Sequence, residues 1–400
     1  MAPKPQGFNI IHGLLLLSNV RHSSVGGELG NTIIKKIFKY RLNYLSYVLM
    51  RTKIMRGDIL EIRKLQLVGR ASFSVTLPPD WIKEYKLKPS DQITITREDD
   101  GSLRLNPGIV HEGKEVKITI DADRCKMPGL LNMLIVGGYL KGCDVIEVIS
   151  KSTISENHRK EIRDAVDSLM GLGIIESTSN HVTIQSMLDV SKFPIVPLLK
   201  RLCGLASSMY EDALKALSDK DSNLASGTTQ RENEIDKIYW LTQRQLAAAS
   251  LDKNVLKKVG LKGTSDLFLY RTASDRIWSV ANNAVDFANN QLALEKNALN
   301  DADLQKVARL GKMAQEIFST SCDAFFKGDV ILANKTFESI KRFEEAKEEL
   351  IKKIGPQIKN AEVGMRLMNI IRDIRRITRY GKSIAEVTIN NSVAEKSNLP

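Results

Sequence analysis

Residues 61–105 read EIRKLQLVGRASFSVTLPPDWIKEYKLKPSDQITITREDDGSLRL, and the spacing of their apolar side chains decides the fold of the N-terminal part. Ile62, Leu65 and Leu67 lead into Gly69, after which Phe73, Val75 and Leu77 alternate with Ser72, Ser74 and Thr76, the period of a half-buried strand. Pro78 and Pro79 end that strand, because neither has a backbone N–H for a ladder and each holds its predecessor extended. Asp80 is then placed to cap a short helical turn through Tyr85, with Trp81, Ile82 and Tyr85 on its apolar side. Leu87-Lys88-Pro89-Ser90-Asp91 makes the next turn. Ile93 and Ile95 alternate with Gln92, Thr94 and Thr96, and Asp99-Asp100-Gly101 signals a hairpin before Leu103 and Leu105. Four short strands and one small helix are expected.

This order resembles the AbrB/SpoVT family of swapped-hairpin DNA-binding domains. The resemblance rests on Arg63-Lys64-Leu65-Gln66, Gly69-Arg70, the run from Ser72 to Pro78, Trp81, Leu87-Lys88-Pro89 and Asp91, and covers about fifty residues. It implies that two chains interleave their hairpins, and it carries a DNA-facing role onto Arg63, Lys64, Arg70, Ser72 and Ser74. Ser90 departs from the family, which usually has glycine at that turn. Arginine and lysine at a two-fold interface neutralise phosphates, and arginine reads guanine edges. The alternative for each is a solvated strand charge.

Charge alone does not carry the DNA reading. The chain of 400 residues has a formal charge of +12, but residues 1–53 hold eight bases against Glu28 alone. Residues 56–105, with nine bases and eight acids, are close to neutral, so a DNA face there requires the bases in front to be separated from Glu98, Asp99 and Asp100 behind.

The basic leader holds an apolar run, Phe8 to Leu17, far shorter than the roughly 20 residues that span a bilayer. A weak signal peptide or a membrane-surface helix over 33–55 are alternatives to the reading adopted here, a poorly structured extension with translation starting at Met50 or Met55. Cys125, Cys143, Cys203 and Cys322 are widely spaced and His111, His158 and His181 scattered. A disulfide scaffold and a structural zinc site are therefore not expected, and a reducing cytoplasm fits.

Asn106-Pro107-Gly108 closes the first domain. Beyond it, Val116 to Ile120 and Val145 to Ile149 read as strands, Met127 to Leu140 and Ser155 to Met170 as helices, with Glu161 and Arg163 on the polar side of the latter. Ile174-Ile175 and Val182 to Ile184 close the unit as two strands around Ser179-Asn180. Gly137-Gly138 fits no phosphate-loop or dinucleotide pattern and reads as close helix packing.

From Phe193 onward strand signals cease, and helical periodicity gives segments near 194–219, 226–250, 264–292, 301–327, 330–354 and 358–392. Asp275-Arg276-Ile277 lies one hundred positions before Arg375-Arg376-Ile377, so six helices form two sets of three, a tandem duplication. This half resembles PhoU, the phosphate-uptake regulator, on Glu232-Asn233-Glu234-Ile235-Asp236 in the second helix and Asp275-Arg276-Ile277 with Asn283 in the third. The resemblance implies acidic helix faces that bind a divalent or iron- or zinc-type metal, here Glu232, Asp236 and Asp275. Carboxylates four apart share one helical face and suit such cations; the alternative is a solvated face against Lys237 and Arg244. Ser279 replaces one family acid, and in the second repeat Arg375 and Arg379 replace both. Arg372, Arg375, Arg376 and Arg379 instead form a stripe for an anion or a partner, or pair with the run from Glu344 to Glu349.

The expected architecture is a multidomain α+β chain: an extension over 1–55, a swapped-hairpin β domain over 56–108, a small α+β coupling domain over 109–190, and all-α three-helix repeats over 191–295 and 296–395. The expected function is a cytoplasmic, homodimeric transcription regulator of phosphate uptake that binds DNA and contacts phosphate-transport or phosphate-signalling proteins, without stable membrane insertion. The alternative is a transport accessory protein whose strands serve only to dimerise. No nucleophile–base constellation or phosphate loop marks an enzyme.

Overall fold

The computed structural model describes residues 61–69, 72–97, 101–108, 116–189, 192–294 and 300–394. The basic leader and its start-site reading, Arg70, Glu98, Asp99, Asp100 and His111 lie outside the described residues. Two compact units divide the chain, one within 1–112 and the other within 113–400.

The first unit consists of two antiparallel hairpins and one short helix. Strand β1 (Gln66–Val68) pairs with β2 (Ser72–Ser74), with Leu67 opposite Phe73. Helix α1 (Pro79–Glu84) begins at the second proline, whose missing N–H is no loss in a first turn. Asp80 lies inside that turn as an acidic residue, not at the cap: the cap position is Pro78 and no side chain fills the role. Strand β3 (Ile93–Arg97) pairs with β4 (Leu103–Pro107), Ile95 opposite Leu105. The turn between α1 and β3 is closed by Asp91, whose N–H donates to Lys88 O at 3.1 Å and whose carboxylate accepts from Lys88 N at 2.7 Å. Its third residue, Ser90, has φ +78°.

The second unit begins with a four-stranded sheet of order β5-β6-β8-β7, formed by β5 (Lys117–Asp121), β6 (Val145–Ile149), β7 (Leu172–Ser177) and β8 (His181–Ser186). β5 and β6 are parallel, joined through α2 (Leu130–Leu140), and the other pairings are antiparallel. Gly138 lets α2 lie close on the sheet: a Cβ there would come within 2.6 Å of Ile118 Cδ1 and 3.0 Å of Ile146 Cδ1. Helix α3 (Glu156–Ser168) is capped by Ser155, whose hydroxyl accepts from His158 N at 3.2 Å. Glu161 does not simply face solvent. It accepts from Gly129 N at 2.8 Å and Asn132 N at 3.1 Å, supplying the N-terminal cap that α2 lacks.

The helices that follow are α4 (Ile195–Asp219), α5 (Ser222–Gln230), α6 (Glu232–Leu251), α7 (Lys253–Lys258), α8 (Thr264–Leu292), α9 (Asp301–Lys327), α10 (Val330–Ile354) and α11 (Ala361–Ala394). Where the periodicity predicts one helix over 226–250, the chain forms two, because Asp221 starts α5 early by accepting from Asn223 N and Leu224 N and the helix turns at Arg231. Asp252 caps the additional short helix α7 in the same way. Asn360 moves the last helix to 361, its Oδ1 accepting from Glu362 N at 2.9 Å. α8 packs on α4, α6 and α11, and α9 on α4, α10 and α11, so the two three-helix sets share one core.

Arg244 joins the sheet layer to the helices. Its side chain sits over the Tyr139 ring at 4.6 Å and donates to Tyr139 O, to Cys143 O at 3.4 Å and to Ser186 Oγ at 3.3 Å. It occupies the interior, where the alternative sequence reading has it on a solvated face, and burial lowers its pKa from the usual value. The carbonyls it meets belong to the C-terminal end of α2, where the helix dipole favours a cation.

Candidate functional site

Three groups of residues carry the functional expectations, and the structure places each differently. On the N-terminal hairpin, opposed residues share a face, so Ser72 and Ser74 stand with Val68 and Gln66 while Phe73 stands with Leu67. Ser72, Ser74 and Gln66 thus share their face with the exposed Val68, and Leu67 and Phe73 lie on the other. Arg63 and Lys64 precede β1 and are exposed, and Arg63 ion-pairs with Glu61. That carboxylate competes with any phosphate for the guanidinium.

Among the described residues the apolar side chains of both hairpins are left exposed. Leu67 is 61 % exposed, Phe73 65 %, Ile95 60 % and Leu103 64 %, and no described residue of this unit is buried. Two-stranded hairpins with bare apolar faces are at best marginal in water. Burying a side chain of this size contributes about 1.5–3 kcal/mol, so a covering surface would dominate the stability of this unit.

The acids of the first helical repeat meet aromatic donors. Trp278 Nε1 on α8 donates to Asp236 Oδ1 on α6 at 2.7 Å, and Tyr239 OH on α6 donates to Asp275 Oδ1 on α8 at 2.7 Å. The two rings stack between these bonds, with centroids 4.5 Å apart and planes 14° from parallel. Burial raises the Asp275 pKa above its ordinary value, against the opposing pull of Arg271, the Tyr239 hydroxyl and Arg276. Glu232 lies in the first turn of α6. Among the described residues no group of three or more His, Cys, Asp or Glu side chains is placed to hold a metal ion. Asp236 and Asp275 form a reciprocal brace across two helices. Sequence reading missed Tyr239 and Trp278, although each follows its acid by three positions, Asp236 to Tyr239 and Asp275 to Trp278. On antiparallel helices that repeated spacing places each acid beside the other helix's ring.

In the second repeat Arg372, Arg375 and Arg379 are exposed on α11 and Arg376 is half-buried. Arg375 Nε meets Glu344 Oε1 on α10 at 2.7 Å, and Lys347 holds the other oxygen of the same carboxylate. Burial works to raise the Glu344 pKa, but the bonds from Lys347 and Arg375 bring it below the usual carboxylate value. Arg372 and Arg376 both lie 3.5 Å from Asp373 Oδ1, a buried carboxylate that also accepts from Asn290 Nδ2 at 2.8 Å. Burial raises the Asp373 pKa despite those partners. Part of the stripe thus pairs within the chain, as one sequence reading allows. No described helix is long and apolar enough to cross a membrane.

Residues 199–286 and 307–388 match the sequence profile of the PhoU domain, and residues 66–108 match that of the antidote-toxin recognition MazE family of bacterial antitoxins. No curated protein matches the chain. Among solved structures, PhoU from Pseudomonas aeruginosa is similar at 18 % identity, covering 50 % of this chain and 96 % of its own with a TM-score of 0.43. The phosphate transport system regulatory protein PhoU from Streptococcus pneumoniae is similar at 19 % identity, covering 51 % and 96 % with a TM-score of 0.42.

Proposed function

We propose, for a chain that joins an AbrB/MazE-type domain to a tandem PhoU domain, a cytoplasmic DNA-binding regulator of phosphate homeostasis that works as a homodimer. The observation that carries this reading is a pair of apolar faces, Leu67 with Phe73 on the first hairpin and Ile95 with Leu103 on the second, that no described residue buries, with Ser72 and Ser74 on the side opposite Phe73. A second copy covers these faces with its own equivalents. Its two-fold axis then duplicates Arg63, Lys64, Arg70, Ser72 and Ser74, which face DNA: the bases neutralise phosphates and the serine hydroxyls take hydrogen bonds. The helical half relays phosphate status by favouring one of two dimer arrangements with different DNA affinity. No enzymatic step and no metal enters this mechanism.

The test is promoter-DNA binding by the full chain across a salt series. Arg63→Ala with Arg70→Ala removes up to four phosphate contacts per dimer, and each contact contributes roughly 0.9 to the salt slope, so the double variant should bind at least about tenfold more weakly with a visibly shallower slope. Unchanged affinity removes the proposed face.

A second reading draws on the α11 arginines: a transport accessory protein that uses its strands only to dimerise. Retention by membranes carrying the phosphate transporter, with no retention on DNA at low salt, favours it over the regulator.

A further inference from the structure

Helix α11 turns a single narrow ridge to solvent. Its inner side buries Leu367, Ile370, Ile374 and Ile377 together with Asp373 and Thr378. The residues left outside follow in helical order: Met365, Met368, Arg372, Arg375, Arg379 and Lys382. Steps of three and four keep all six on one line, which at 1.5 Å per residue runs for about 25 Å. Glu362 and Glu386 stand at the two ends, paired with Arg366 at 3.9 Å and Lys382 at 3.5 Å, and no acid interrupts the exposed line between them.

A solvated helix face commonly mixes both signs of charge, and exposed apolar side chains that adjoin one another mark an interaction surface where singly scattered ones do not. Here Met365 is 64 % exposed and Met368 49 % exposed, and both run directly into the arginines. Methionine and arginine are the types that concentrate in protein interfaces, where lysine and the acids are depleted. Methionine adapts its shape to a partner's apolar side chain, and the guanidinium fork matches a carboxylate. Within the chain Arg375 already holds Glu344, Arg372 lies 3.5 Å from Asp373 Oδ1 and Lys382 pairs with Glu386, which leaves Arg379 to meet a carboxylate from outside. Arg379 is exposed and makes no ion pair among the described residues. A phosphate backbone would engage the arginines but leave the methionines in water, and two methionines are too few to anchor a bilayer.

We propose that this ridge docks an acidic amphipathic helix of a partner protein, with apolar positions on Met365 and Met368 and a carboxylate on Arg379. The ridge lies on the helical unit and the inference does not draw on DNA binding by the strands, so either can fail without the other.

The test uses the full chain and a labelled synthetic helical peptide with leucine at every third and fourth position flanked by glutamates. A scrambled peptide of the same composition and a labelled DNA duplex serve as the other probes. Met365→Ser with Met368→Ser, and separately Arg379→Glu, alter exposed positions only, and unchanged helix content and melting temperature verify the fold. The amphipathic peptide should bind at least tenfold more tightly than the scrambled one and lose at least tenfold in each variant. Equal binding of the two peptides would mean charge attraction alone and overturns the proposal, as does binding that the variants leave unchanged or no peptide binding at all. Duplex binding that falls in Arg379→Glu while the peptide does not bind would reassign the ridge to nucleic acid.

Discussion

Phe73 in the strand unit is 65 % exposed, whereas Phe343 in the helical unit is completely buried. Both are apolar positions in a regular element, and the difference lies in what each element can reach within one chain. The helices carry apolar stripes on several sides and close around a core shared by both repeats. The hairpins of 66–74 and 93–107 have one apolar face each and no described residue that covers it. A unit that closes on itself has a stability of its own, while one that leaves its faces open depends on the concentration of whatever covers them. The two halves should therefore respond oppositely to dilution and to substitution.

The sharpest way to break the contrast is Phe73→Asp. If a second copy covers the hairpins, the substitution loses two aromatic burials per dimer, about 3–6 kcal/mol, and weakens dimerisation by about a hundredfold or more. Sedimentation should show monomer and DNA binding should vanish, yet the helical unit should melt at its original temperature. A fall in that temperature would show that the halves are not energetically separate.

Within the closed unit, Arg244→Ala tests what binds the sheet layer to the helices. It leaves a cavity and strands the acceptors on Tyr139, Cys143 and Ser186, at a cost of about 3 kcal/mol by urea denaturation. Relief of a buried charge opposes this loss. Arg244→Met keeps most of the volume and should cost less than half as much; an equal cost would assign the joint to its hydrogen bonds. Dimerisation should be unchanged in both variants.

The brace gives a smaller, pH-dependent effect. Asp275 has a folded pKa raised above its ordinary 3.8, so the folded state binds more protons than the unfolded state between those two values. Stability from this group is present below pH 3.8 and is lost as pH rises through the raised folded value. Asp275→Asn keeps an acceptor for the Tyr239 hydroxyl without the buried charge. At pH 7 it should be at least as stable as the parent, and the gap should close as pH falls toward 3.8. A gap that widens on acidification would mean that Asp275 is ionised and stabilising in the fold.

Much of this architecture was legible because it rests on periodicity. Val145 to Ile149 is a strand to the residue, and the α8, α9 and α10 spans coincide with their apolar repeat. What escaped depended on tertiary contact. Arg244 resembles any exposed helical base until α2 offers it carbonyls, and nothing in the spacing of Asp236 names Trp278 as its donor until α8 lies beside α6. Asp221 and Asp252 were legible in principle as caps, but the apolar period over 226–250 starts after the first and runs through Arg231, which hid the break there. The arginine row was visible as spacing, whereas the exposure that makes Met365 and Met368 part of it belongs to packing.

Ser90 is a place where sequence and structure state the same local conflict, and it gives the smallest effect. The turn Lys88-Pro89-Ser90-Asp91 is closed by Asp91 N to Lys88 O, and its third position has φ +78°, the left-handed region that a type II turn reserves for glycine. A serine there carries a Cβ penalty of about 1–2 kcal/mol, while glycine adds back about 0.5–1 kcal/mol through the freedom of the unfolded chain. Ser90→Gly should therefore stabilise the strand unit by about 0.5–1 kcal/mol and leave the helical unit unchanged. Since folding of the strands and their covering by a second copy are linked, the gain should appear as a several-fold tighter dimer in a dilution series. A gain in the monomer's melting temperature with no change in dimerisation would show that the hairpins fold before they associate, and would separate the two steps that the open apolar faces otherwise couple.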